Sequence, residues 1–403
     1  MLVGPELIRT INKQRVLRLI RSGGPVSRAD AAEQTGMTRP TISAVVADLL
    51  EEGWIEEIGA GESSGGRPPI LLRFSPLARL VLGAELGAGH VRAVLTDLAG
   101  NVLHRSKRRV ETNDPKVELD RLCGVVQEVL AMRSPAQAKI PLAGLGLGLN
   151  GHVDTGLGLW RYSPHFQVAD LNVVKHLTDC LGLEVIVEND ARVMAVGERS
   201  FGCAKAVENL VYIRVGVSIG AGLMIEGKLY GGAHEGAGEI GHTVVFEEGP
   251  RCRCGNFGCL EAVANAVAIS RRAVNRIQAG HTSVIPKLVD DDLSQVIGTT
   301  VIEAAHAGDR LARETLQEAG RFVGLAVGNV INLFDPDLVV IGGGTSRAGE
   351  LLLEPVKAAA FSRALPGRRD KVQILRTALG EDSCPVGGAA LVIESLFRAP
   401  TVG

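Results

Sequence analysis

Aromatic residues are scarce, with two Trp, three Tyr and nine Phe in 403 residues. Long apolar runs are missing: no stretch approaches the roughly 18 consecutive apolar residues a bilayer span requires. A large charge of either sign is missing too, since 43 Lys and Arg stand against 45 Asp and Glu for a formal net charge of −2. That balance excludes a chain that coats polyanions with its whole surface. The opening stretch "MLVGPELIRTINKQRVLRLI" interleaves charges with apolar residues and lacks the core of a secretory signal. These absences predict a cytoplasmic protein with no membrane partner, in which disulfides are not expected. What remains is 46% hydrophobic and 22% charged with fifty glycines, the balance of an α/β chain long enough for two or three domains.

Charge is uneven at the start, where residues 1–40 carry seven Lys and Arg against three Asp and Glu. Apolar positions from Ile8 to Ile20 recur at helical spacing, and Gly23-Gly24-Pro25 closes that helix. Ser27 is placed to cap a short second helix ended by Gly36, and Thr38 to cap a third with Pro40 in its first turn. Two helices joined by a short turn read as a helix-turn-helix, whose second helix would offer its N-terminal side chains to base edges. "WIEEIG" and "ILLRFS" then alternate as two strands around the polar loop "AGESSGGRPP", the form of a wing. The expected DNA-facing residues are Ser27, Arg28, Thr38, Arg39, Thr41, Ser43 and, in the wing, Arg67.

From Leu80 the pattern becomes strand triplets followed by helices, twice over, which predicts two similar α/β lobes around a cleft. Ligands of such sheets bind beyond the carboxyl ends of strands. Asn150, the run Glu188-Asn189-Asp190 and the glycines 342–344 fall at such ends.

Three of the seven cysteines lie within eight residues, in "RCRCGNFGC". With His242 just upstream, Cys252, Cys254 and Cys259 make a Cys3His set, which closes a tetrahedral structural Zn2+ site and leaves no open position for catalysis. A redox dithiol of Cys252 and Cys254 would leave the third cysteine and His242 unexplained. Cys123, Cys180, Cys203 and Cys384 are scattered and read as core residues.

Over nearly its whole length the chain resembles the ROK family of repressors and sugar kinases. The motifs that carry the resemblance are "GEIGH" (238–242), "CRCGNFGCLEA" (252–262), "VENDARVMAVGE" (187–198) and "DPDLVVIGGGTSRAGE" (335–350). It implies an actin-like, sugar-kinase body with a zinc knuckle behind the winged helix-turn-helix. The division would be 1–75 for the DNA-binding domain, 76–190 with 384–403 for the first lobe, and 191–383 for the second. It also implies sugar-binding roles for Asn189, Asp190, Glu239, His242 and Glu261, with Asn150 and His165 in the loop covering the sugar. Carboxylates accept from hydroxyls and Asn does both, so such a set suits a monosaccharide. Asp190 matches the kinase general base.

Where family kinases grip ATP, this sequence departs from the pattern. The first phosphate turn, Asp-x-Gly-Gly-Thr in the kinases, is Glu85 to His90 here, with Glu for Asp and Ala88 for the second Gly. The second, at Gly216 to Gly222, has Val217 and Ser218 where a hydroxyl donor and a bare backbone would meet phosphate. The sugar side is kept and the nucleotide side is altered. The resemblance therefore implies a transcriptional repressor, relieved or modulated by a monosaccharide effector, with no catalytic residue in use; activation is the alternative sign. As a homodimer or homotetramer it would bind a palindromic double-stranded DNA operator. An active sugar kinase that uses Asp190, and an adaptor with a vestigial cleft, are the competing readings.

Overall fold

A computed structural model of the chain describes residues 5–60 and 68–398. The wing residue Arg67 lies outside the described residues. The head runs α1 (Pro5–Gly23), β1 (Val26–Ser27), α2 (Arg28–Thr35), α3 (Arg39–Glu51), β2 (Ile55–Ala60) and β3 (Ile70–Phe74). Ser27 and Asp30 close a capping box at α2: Ser27 Oγ accepts from Asp30 N at 3.1 Å, and Asp30 Oδ2 from Ser27 N at 2.9 Å. Thr38 caps α3 as the sequence predicts. The apolar stripes of α1 and α3 (Val16, Leu17, Ile20, Ile42, Val45, Val46, Leu49) meet in one core. β1, too short to read from sequence, pairs with β3 on the side away from β2, giving an antiparallel three-stranded sheet.

The body holds two sheets built to the same plan. The first gathers β4 (Leu80–Leu86), β5 (His90–Thr96) and β6 (Val102–Arg109), then, past α4 (Pro115–Ala131), β7 (Leu142–Leu149). A small antiparallel sheet follows, of β8 (His152–Asp154), β9 (Leu159–Tyr162) and β10 (Leu171–Asn172). After α5 (Val173–Leu181), β11 (Val185–Asn189) completes the order β11-β7-β4-β5-β6. Following α6 (Asp190–Phe201), the second sheet has β12 (Leu210–Val215), β13 (Ile219–Ile225) and β14 (Lys228–Leu229). It continues after α7 (Leu260–Ala264), α8 (Ala266–Gln278), α9 (Ile285–Leu288), α10 (Gly298–His306) and α11 (Arg310–Phe334) with β15 (Leu338–Gly342). Then come α12 (Glu350–Arg363), α13 (Pro366–Arg369) and β16 (Gln373–Arg376), for the order β14-β13-β12-β15-β16. In each sheet three consecutive strands are antiparallel, and two parallel strands extend the far side. The strands beside the parallel joins are apolar and buried, as sheets covered on both faces require.

The last helix, α14 (Ser383–Leu396), crosses the first sheet against β4 and β7. The approach leaves no room for a side chain at Gly146, whose Cβ would overlap the Gly388 carbonyl. Beyond α14, Phe397 enters the head, with its ring 6.0 Å from Trp54 and 5.9 Å from Phe74 and the Arg21 guanidinium 4.2 Å above it. Val81 and Leu98 of the first lobe and Val392 and Ile393 of α14 belong to the same apolar cluster as the head. Head and body therefore share a core.

The cysteine reading needs one correction. Cys123 on α4 and Cys180 on α5 are joined as a disulfide, with Cα atoms 6.7 Å apart. Cys180 is exposed rather than core, and Cys203 is half-buried, whereas Cys384 is fully buried. Fifty-seven residues separate the bonded pair, so only the packing of α4 on α5 brings them together.

Candidate functional site

The cleft forms where the ends of β7 and β11 face the β12–β13 turn. Asn150, 3% exposed, follows β7; its Nδ2 donates to Ser218 Oγ at 3.1 Å and its Oδ1 accepts from Ser163 Oγ at 3.3 Å. Trp160 Nε1 donates to its carbonyl at 2.8 Å, fixing the small sheet over the cleft. Asn189 is the N-cap of α6, with Oδ1 accepting from Ala191 N and Arg192 N and Nδ2 donating to Gly151 O at 2.9 Å. Asp190 is the first residue of α6. Its Oδ1 accepts from its neighbour's N–H at 2.7 Å, while its buried Oδ2 has no hydrogen-bond partner. His165 likewise holds a buried Nε2 without a partner, and burial, then Arg253 and Arg214, lower its pKa, so the ring is mainly neutral at pH 7.

From the second lobe come Glu239, His242 and Glu261. Glu261 Oε2 accepts from Ile219 N at 2.8 Å, which ties the start of α7 to the glycine-rich turn. His242 faces two ways, with Nδ1 3.6 Å from Cys252 Sγ and Nε2 3.9 Å from the exposed Glu239 carboxylate. One imidazole can thus hold a metal through Nδ1 and meet a ligand through Nε2.

The knuckle is shaped to hold an ion. One ligand atom from each of His242, Cys252, Cys254 and Cys259 falls within 4.8 Å of all the others. Cys254 and Cys259 sulfurs are 3.7 Å apart, close to the edge of a tetrahedron whose metal–sulfur bonds are about 2.3 Å. The turn is built by Cys252 N donating to Asn256 O at 2.7 Å and by Gly258, at φ 68°, where a side chain would overlap the Phe246 carbonyl. The Asn256 N–H holds the Cys254 thiol down to about 7, while burial pushes Cys252 up and Cys259 up to about 12. A cation among them supplies the charge that lets all three ligate as thiolates.

Two cavities flank these groups. One, of about 160 Å³, lies between His165, Glu261, Arg253 and Val217, and the other, of about 20 Å³, between Asn189, Glu239, Gly151 and Arg192. Asn150 and Asp190 line neither; they lie buried in the polar contact that joins the lobes.

Four residues of this region matter in ways the sequence motifs did not assign: Arg192, Glu188 and Glu85 lie inside motifs already quoted, and Arg214 lies outside them. Arg192, 2% exposed, donates to the carbonyls of Gly231, Glu235 and Ala237 and pairs with Glu188 and Glu235, clamping the loop that leads into "GEIGH". Burial raises the Glu188 carboxyl, against the pull of Arg192. Arg214, on β12, lies 3.4 Å from Asp190 Oδ2. Glu85 is buried at the end of β4, which raises its pKa against the pull of Arg92 and Arg214. A lone arginine inside an apolar strand, as in "LVYIRV", was the available signal for Arg214.

On the head, Thr38, Arg39 and Ser43 are exposed and Thr41 is half-buried, all in the first turns of α3. Two of the expected DNA contacts are otherwise engaged. Ser27 is 3% exposed with its hydroxyl capping α2, and Arg28 pairs with Glu57 at 2.9 Å. Capping commits the Ser27 hydroxyl to its own helix.

Comparison with known proteins follows the same division. Residues 81–395 match the ROK family and residues 10–63 the MarR family. The Xylose repressor of Caldicellulosiruptor bescii is 30% identical over 98% of both chains. The DNA-binding transcriptional dual regulator NagC of Escherichia coli is 31% identical over 98% of this chain and 95% of its own. Among solved structures, a ROK family transcriptional regulator described as a homolog of the E. coli MLC protein superposes with a TM-score of 0.82 at 31% identity, covering 97% of each chain.

Proposed function

The chain belongs to the ROK family, with a MarR-type winged helix in front of its body, and on that premise we propose that a monosaccharide in the cleft sets how tightly the head holds DNA. The protein is a sugar-responsive transcriptional repressor rather than an enzyme. The relative named for xylose repression supports a monosaccharide effector of the pentose type. In this reading Glu239, His242 Nε2 and Glu261 receive the hydroxyls, Asn189 shapes the floor, and Asp190 Oδ2 and Asn150, buried between the lobes here, join them when the lobes part. The ion in the knuckle is zinc, which fixes His242 and the backbone between Glu239 and Glu261.

One observation carries the coupling. α14 starts beside the cleft, where Cys384 lies under Gly148 and close to Glu85 and Asp190, and its far end delivers Phe397 into the head. A ligand that binds unequally to two arrangements of the lobes then biases the head through a packed helix instead of a tether. Arg39, Thr41 and Ser43 would enter a major groove, and a homodimer or homotetramer would place two such helices about 34–36 Å apart on a palindromic operator. No described helix is long and apolar enough to cross a membrane.

The test is thermal-shift screening of the zinc-loaded protein against a panel of neutral monosaccharides, then operator binding with and without the hit. A sugar that raises Tm and weakens operator binding is the expected result. No shift with any sugar, or ADP release from ATP that depends on Asp190, would overturn the reading.

A further inference from the structure

The substitutions that distinguish the glycine-rich turn of the second lobe from a phosphate loop have a structural use. Ser218 Oγ accepts from Arg214 Nη1 at 2.8 Å and from Asn150 Nδ2 at 3.1 Å. Arg214 lies on β12 and Ser218 in the β12–β13 turn of the second sheet, and Asn150 follows β7 of the first, so the serine joins the two lobes. Ser163, which approaches Asn150 Oδ1 at 3.3 Å, extends the chain to the loop carrying His165. At the other end Arg214 faces Asp190 Oδ2 at 3.4 Å, and that oxygen has no other partner. Glu85 supplies a second buried carboxylate, 3.9 Å from Arg92. Arg92 is tied back to the segment leading into α14 by donating to Glu381 O at 2.6 Å.

Two buried carboxylates thus confront two guanidinium groups in a water-poor seam. Phosphoryl-transfer sites use such carboxylates to hold a divalent cation against the triphosphate. Arg214 beside Asp190 and Arg92 beside Glu85 supply the positive charge from the chain itself and repel a divalent ion. We propose that Arg214 and Ser218 are positioning residues standing where a metal-bound triphosphate would otherwise join the lobes. Arg214 is the resident cation of Asp190, as Arg92 is of Glu85, and through Ser218 it holds Asn150 and Asp190 in place for the effector. The part concerning effector placement rests on the monosaccharide reading; the part concerning the cation does not.

The experiment uses the full-length, zinc-loaded protein and titrates Mn2+ by electron paramagnetic resonance. Wild type is expected to bind no Mn2+ in the cleft at millimolar ion. Arg214→Met is expected to gain one Mn2+ site, which Glu85→Gln in the same chain removes. A cleft Mn2+ site in wild type, or none in Arg214→Met, overturns the proposal. The second arm measures affinity for the sugar found by thermal shift. Ser218→Ala, which breaks the bridge without stranding a charge, is expected to weaken it about tenfold with zinc content unchanged, and Arg214→Lys to weaken it less than Arg214→Met. Wild-type affinity in Ser218→Ala also overturns the proposal, and that variant decides the matter if Arg214→Met fails to fold. A panel in which no sugar binds wild type defeats the monosaccharide reading and leaves the Mn2+ arm readable.

Discussion

Replacing Phe397 by Ala should uncouple the DNA-binding head from the body. The ring is 7% exposed and lies edge-on to Trp54 and Phe74 beneath Arg21. Truncating a buried Phe costs about 3–5 kcal/mol. Its partners all lie in the head, so the loss falls on the head–body seam. In a domain of 60–100 residues each kcal/mol moves Tm by about 4–8 °C, so a loss of about 3 kcal/mol lowers the head's transition by about 12–24 °C. The two tryptophans separate the halves, because Trp54 lies at the seam and Trp160 is fully buried beneath the small sheet of the first lobe. Calorimetry, together with Trp54 emission in a Trp160→Phe background, should show one transition in the parent and an early, separate head transition in the variant. A single transition within about 2 °C of the parent would refute the shared core as the element that holds the head. It would also remove α14 as the route from cleft to DNA.

Three further outcomes follow from the geometry. Cys254→Ser should lose the bound metal by atomic absorption and with it the sugar-induced rise in Tm, because Glu239 and Glu261 flank the knuckle; a full sugar shift in metal-free protein would contradict this. Arg39→Ala should change stability by less than about 0.5 kcal/mol, since Arg39 is exposed. It should weaken operator binding and reduce the salt slope by about 1 if Arg39 meets phosphate, and unchanged binding would take α3 out of the interface. The Asp30 carboxyl is held below the usual range by the Ser27 backbone N–H and then the Ser27 hydroxyl. A depressed folded pKa means its contribution is present above the unfolded value of about 3.9 and lost as pH falls through the folded value. Head stability should therefore drop in that acid window in the parent and not in Asp30→Ala, while Ser27→Ala costs about 1 kcal/mol at neutral pH; identical acid profiles for parent and Asp30→Ala would refute the cap.

What the sequence disclosed and what it hid divide by the range of the interaction. Ser27, Thr38 and the knuckle cysteines act on neighbours a few residues away, so spacing alone announced the caps and a metal-binding set. The winged head and the paired lobes were legible because alternation and helical stripes report which face is buried. Phe397, Val392 and Ile393 gave a stripe as well, but a stripe does not name its partner, and the seam with the head went unseen. The Cys123–Cys180 bond failed for the same reason, since two helices must pack before the sulfurs meet. The cleft is the most instructive case. Val217 and Ser218 read as losses, because a motif records which residues phosphate requires and is silent on what replaces it. Arg214 sits in a strand whose every residue is buried, where an isolated charge is too costly to stand alone. That cost was visible in "LVYIRV" and called for a carboxylate somewhere in the fold. Only the closing of α6 onto β12 identifies Asp190, 3.4 Å away, as the carboxylate that answers it. A basic residue buried in a strand beside an altered phosphate loop is therefore itself a signal that a carboxylate lies across the fold from it.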